Sequence, residues 1–141
     1  MDERIQKLWF EKGHICILTS KNDTYSQPLE AFPALLDATP AQREKYYIWD
    51  EGRSIRWEEL DEDIHISNFF EQETVNYDNE VNHLLSRYPY LDLKGFAKYL
   101  GMHWTKLARF RYGIWQPSPE TVARIKNGII AIGKEMSAAV L

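Results

Sequence analysis

The sequence predicts an α+β protein in two parts: a small α+β domain over residues 1–71, then an all-α domain over residues 78–141. Three observations carry this. Short runs rich in β-branched and aromatic residues, separated by turn chemistry, fill the first half, whereas apolar residues at helical spacing fill the second. Residues 71–79 between them are polar, show no apolar periodicity and read as a linker. The charge also divides. The chain nets -4, but residues 77–141 carry nine Lys/Arg against five Asp/Glu, a net of +4, leaving eight against sixteen, a net of -8, in residues 1–76. Opposite signs point to two units with different partners, the basic one suited to a polyanion.

Each element has its own warrant. Residues 5–10 and 14–19 read as strands joined around Gly13, and Lys21-Asn22-Asp23 turns the chain into a third strand over residues 24–27. Residues 29–36 are apolar enough for a short helix interrupted at Pro33. Thr39-Pro40 has the form of an N-cap with proline at the first helical position, opening a helix through Lys45. Residues 46–49 and 54–57 form a hairpin about Asp50-Glu51-Gly52, residues 58–63 are an acidic stretch, and residues 64–70 close the unit. Helices are then expected over residues 79–88, 92–100, 103–112 and 119–136. In the last of these, Val122, Ile125, Ile129, Ile132 and Met136 make one inward stripe.

Several function classes fall away. The longest apolar run, residues 128–133, is far short of the roughly 20 residues a membrane span needs, and the first thirty residues hold no signal-peptide pattern, so a cytoplasmic protein without a membrane partner is expected. Cys16 is the only cysteine, lies in an apolar strand and is expected to be a buried, inert thiol. Glu58, Glu59, Asp61, Glu62, Asp63 and His65 are the one dense set of metal-capable side chains, but no second cluster completes a site and a solvated acidic edge is preferred. Trp9, Trp49 and Trp57 sit at strand positions and are expected in the core. No nucleophile–base pair or phosphate-binding glycine loop is present, so no catalytic residue, metal or cofactor is assigned and no enzyme is expected.

The chemistry lies in the second half. Leu93, Phe96, Ala97 and Leu100 line one helix face, Asp92 is placed to cap it, and Gly101 ends it where a left-handed residue must reverse the chain. The next helix turns Leu107 and Phe110 inward, and small Ala97 lets the two approach closely. Such a pair, joined by a tight glycine turn, lets one helix brace the other in the DNA major groove. The face opposite Leu107 and Phe110 carries Thr105, Ala108, Arg109 and Tyr112, flanked by Trp104 and Lys106. Arginine can donate bidentately to guanine, and threonine and alanine methyls suit the thymine methyl. Lys98, Lys106 and Arg111 are placed to reach phosphates.

Leu93-Lys94-Gly95-Phe96-Ala97-Lys98-Tyr99-Leu100-Gly101-Met102, with Leu107, Phe110, Gly113 and Pro117-Ser118-Pro119, resembles the phage repressor and Cro family of helix-turn-helix domains. The resemblance implies that residues 103–112 are a recognition helix, with Trp104, Thr105, Ala108 and Arg109 at its base-reading positions. The chain departs from that family at Leu93, where a phosphate-binding glutamine is common, and at Ile114-Trp115-Gln116, where the loop is usually basic.

Phe32-Pro33-Ala34-Leu35-Leu36-Asp37-Ala38-Thr39-Pro40-Ala41-Gln42-Arg43, with Ile55-Arg56-Trp57 and Asp61-Glu62-Asp63-Ile64, resembles a bacterial α+β domain family of unknown function. Some of its members are fused to a repressor-like helix-turn-helix and are often encoded beside small toxin genes. The resemblance implies a regulatory or antitoxin-like role. The expected function is sequence-specific binding of double-stranded DNA by a repressor or antitoxin-like autoregulator, with a small basic toxin protein as a possible second partner. The alternative is a protein-interaction module, toxin-neutralising or adapter, that does not bind DNA. A homodimer is expected, with Ile114, Trp115, Ile130, Val140 and Leu141 left over as apolar contact candidates.

Overall fold

A computed structural model describes residues 2–140 and divides the chain into two compact units, Met1–Val75 and Asn76–Leu141. Leu141, one of the expected contact residues, lies outside the described residues.

The first unit begins with an antiparallel meander of β1 (Ile5–Glu11), β2 (His14–Thr19) and β3 (Thr24–Pro28). Lys12 and Gly13 both take positive φ, the two-residue turn whose twist matches that of its flanking strands. The expected helix over residues 29–36 is instead a 3-10 turn at Leu29–Ala31 and a single helical turn, α1 (Pro33–Leu36). Pro33 has no N–H to donate, so the chain restarts its helix there. Thr39 caps α2 (Pro40–Arg43) with a reciprocal Thr39–Gln42 capping box, and this helix stops two residues short of Lys45.

A second antiparallel meander follows: β4 (Tyr47–Trp49), β5 (Ser54–Trp57) and β6 (Glu62–His65), closed by a 3-10 turn at Ile66–Phe69. The acidic stretch thus ends in a strand. Ile55 pairs with Ile64 and both are buried, while Asp63 lies opposite Arg56 on the other face. The core takes residues from both sheets and from α1, including Ile15, Ile17, Leu35, Ile55, Trp57 and Ile64. Trp57 is 0% exposed and its indole N–H donates to the Arg43 carbonyl at 2.9 Å. Arg43 in turn donates to the carbonyls of Leu35 and Leu36, closing the end of α1. Trp9 is half-buried, but Trp49 is 47% exposed and outside the core, because β4 is an edge strand.

The second unit holds four helices and, among the described residues, no strand: α3 (Glu80–Ser86), α4 (Leu93–Leu100), α5 (Trp104–Arg111) and α6 (Pro119–Val140). Their core is Val81, Leu85, Phe96, Ala97, Leu100, Met102, Leu107, Phe110 and Ile125. The chain is therefore a mixed α+β protein with two three-stranded antiparallel sheets followed by C-terminal helices. On α6 the stripe packs through Ile125, Ile129 and Ile132, while Val122 is half-buried. Met136 is exposed, because the helix outruns the core beneath it. Gly128 faces α4 so closely that a Cβ would stand 2.4 Å from the Leu100 side chain.

Residues 71–79, expected as a linker without a packing face, are tied down within both units. The buried Gln27 amide donates to the carbonyls of Asn68 and Glu71 and accepts from the Glu73 N–H. The Asn76 N–H donates to the Tyr112 carbonyl, and Asn79 both caps α3 and donates to the Arg111 carbonyl. No helix among the described residues is long and apolar enough to cross a membrane.

Candidate nucleic-acid interface

Local chemistry sets the hinge between α4 and α5. Asp92 accepts from the Gly95 N–H at 2.8 Å and starts α4. At the other end Gly101 takes φ 70°, and its own N–H and that of Met102 return to the Lys98 and Ala97 carbonyls. The Arg124 guanidinium of α6 donates to the Leu100 carbonyl, satisfying another group at the same helix end. His103 then caps α5, its Nδ1 accepting from the Thr105 N–H. Two eight-residue helices are thereby held against each other, with Ala97 and Leu107 fully buried between them.

Not all of the predicted site residues reach the surface of α5. Lys106 is exposed, and Thr105 and Arg109 are half-buried. Ala108 is 0% exposed and cannot touch a base edge, which corrects its assignment to the reading face. The reason is that α3 packs on α5 as well as α4, so the buried arc is wider than Leu107 and Phe110 alone indicate. Arg111, one turn on from Ala108, lies on that same side and donates through Nε to Asn82 of α3 at 3.0 Å. Trp104 is half-buried against the core, stacked on His103, with the Lys94 ammonium 4.5 Å from its ring centroid. Lys98 is exposed on α4.

Trp115, expected as an apolar contact between copies, instead lies against Arg109. Trp115 follows the Gly113 turn, packs edge-on against Phe110, and places its ring 4.7 Å from the Arg109 guanidinium carbon. An arginine six residues before a tryptophan, across a helix-ending glycine, is the signal that could have found it. Residues 93–119 contain five Lys/Arg and no Asp or Glu.

In the first unit the acidic edge is organised around a cation. Arg56 donates to Asp63 at 2.7 Å, Asp61 at 2.8 Å and Glu58 at 3.3 Å. Among the described residues no group of three or more His, Cys, Asp or Glu is placed to hold a metal ion. The Tyr47 hydroxyl donates to Glu58 at 2.5 Å, and this bond together with Arg56 holds the Glu58 carboxyl below its ordinary range. A lowered folded-state pKa contributes stability above the unfolded value that is lost as pH falls through the folded one. Glu58→Gln is expected to lower Tm at neutral pH, and the gap to the parent to close on acidification. A gap that stays constant with pH would contradict this. Cys16 is buried in β2, and burial followed by the charge of Glu11 raises its thiol pKa, which disfavours the nucleophilic thiolate.

The architecture defines the class, an α+β protein with a helical C-terminal unit. Residues 5–74 match the family described as "Protein of unknown function (DUF2442)". No curated protein and no solved structure matches the chain.

Proposed function

We propose that the chain is a sequence-specific DNA-binding regulator, a repressor or antitoxin-like autoregulator. Its α4–Gly101–α5 segment serves as the helix-turn-helix and α5 as the recognition helix. The observation that carries this reading is the acid-free stretch of residues 93–119, whose five cations are distributed on and around two helices braced through Ala97 and Leu107. Duplex DNA attracts such a surface through its phosphates and admits a helix into its major groove. Within the proposal Thr105 and Arg109 read base edges, with Arg109 oriented on Trp115, while Lys98 and Lys106 meet phosphates. Arg111 serves the α3–α5 packing instead. A toxin-like protein partner, if the chain acts as an antitoxin, would meet the acidic first unit.

The adapter reading also has an observation in its favour: Tyr47 and Trp49 are half-exposed on the same unit as the acidic edge. Salt titration separates the two. DNA binding requires retention on duplex DNA that falls steeply with salt, whereas an adapter requires none. On a site selected from random duplexes, Arg109→Ala is expected to cost about 1–3 kcal/mol while changing affinity for random DNA little. Lys98→Ala is expected to weaken both alike and to flatten the slope of log K against log salt by about one. Wild-type affinity of folded Arg109→Ala for the selected site would remove α5 as the reader.

A further inference from the structure

We propose that a cavity in the helical unit, bordered by α3, the loop after α5 and the start of α6, binds an aromatic carboxylate. The binding does not depend on whether α5 reads DNA.

The cavity measures about 410 Å³, inside the range of roughly 300–1,000 Å³ that small-molecule sites occupy. Its floor is the core itself, Val81 and Phe110, 2% and 5% exposed. Trp115, Pro117 and Val122 form the walls, rigid side chains that suit a flat ring. The shape needs no ligand to form it. Asn79 caps α3 and donates to the Arg111 carbonyl, the Trp115 N–H returns to the Arg109 carbonyl, and the Ser118 hydroxyl accepts from the Thr121 N–H at the start of α6. Each element bordering the space is fixed by its own hydrogen bonds.

The polar groups at the rim set the chemistry of the occupant. Lys126 meets Glu80 at 2.5 Å, yet an ammonium has three N–H donors and one carboxylate does not use them all. Gln116 adds an exposed amide that has no hydrogen-bond partner among the described residues. Residues 77–141 net +4, and the Arg109 guanidinium lies 4.7 Å from the Trp115 ring, so the local field favours an anion over a cation. A flat ring bearing a carboxylate meets all of these: the ring lies against Trp115 and Val122, and the carboxylate shares Lys126 with Glu80 and accepts from the Gln116 amide. Its ring also touches the indole that holds Arg109. Resting on the DNA reading above, the ligand is therefore an effector that reaches the recognition helix through Trp115.

The full chain is titrated with naphthoate, the neutral naphthamide and the cationic naphthylmethylamine, following the Trp115 indole N–H by NMR, with thermal melts run on every variant. Naphthoate is expected to shift that signal saturably, and naphthamide to bind about tenfold more weakly, the scale of one charge-assisted hydrogen bond. Lys126→Met should erase the preference for the acid, and Val122→Trp, which fills the cavity, should abolish binding of both. Lys134→Met, on the same helix away from the cavity, should change neither. No saturable shift with naphthoate, equal or tighter binding of naphthylmethylamine, a preference that survives Lys126→Met, or binding that survives Val122→Trp would each overturn the proposal. A selected duplex should be bound with altered affinity at saturating naphthoate, and not in Val122→Trp. An unchanged affinity would remove the effector role, whereas failure to bind any duplex would remove the DNA reading and leave the titration to decide the site.

Discussion

Gly113→Ala is expected to destabilise the helical unit by about 2–5 kcal/mol, combining the cost of a left-handed non-glycine residue with that of an overpacked contact. Gly113 sits at φ 75°, and a Cβ there would stand 2.2 Å from the Asn76 carbonyl oxygen. The obstacle is backbone, and it is itself held in place by the Asn76 N–H bond to the Tyr112 carbonyl. Neither partner can retreat without breaking the closure between the end of α5 and the start of the unit. Helical ellipticity should therefore melt well below the parent, and the effect should be confined to that unit. A shift of less than a degree or two in the helical transition would mean that the closure contributes nothing.

Trp57→Ala is expected to cost about 3–5 kcal/mol in the sheet unit. The indole is fully buried, packs 5.9 Å from the Tyr46 ring and satisfies the Arg43 carbonyl. Its removal leaves both a cavity and an unpaired acceptor. Trp57→Phe divides the two effects, since it fills most of the volume but leaves Arg43 without its donor, and it should cost less than the alanine change. Denaturant unfolding followed on the remaining tryptophans measures both. Alanine and phenylalanine variants of equal stability would place the energy in the hydrogen bond rather than in the packing.

Much of this architecture was legible because local chemistry agreed with the final fold. The β1–β2 turn, the Thr39 cap, the Asp92 cap and the Gly101 reversal each depend on residues adjacent in sequence, and all fall where expected. The failures depend on partners far along the chain. β6 has one buried apolar residue among acids and is a strand because β5 offers Ile55 and Arg56 to pair with it. Trp49 was expected inside because its composition suits a core, but an edge position leaves half of it outside. On α5 the Thr105 and Lys106 positions were legible from helical spacing. Ala108 and Arg111 were not, since their side of the helix is claimed by α3, whose approach no local pattern records. The polar stretch after Glu71 misled for a similar reason: its backbone is held by a buried glutamine from β3.

The unequal packing of α6 has a consequence for whatever binds there. Up to Ile132 the helix is anchored in the core, whereas residues 133–140 are exposed, with Glu135 accepting from the Tyr99 hydroxyl of α4 at 3.4 Å. Helical stretches of that length are marginal in water without tertiary support, so this end persists mainly by propagation from the anchored half. Opening of this end alone would leave the packing of Ile125 intact. A molecule that settled on Val140 would have to complete the ordering of its own landing site, and part of its gross attraction would be consumed in freezing those last two turns.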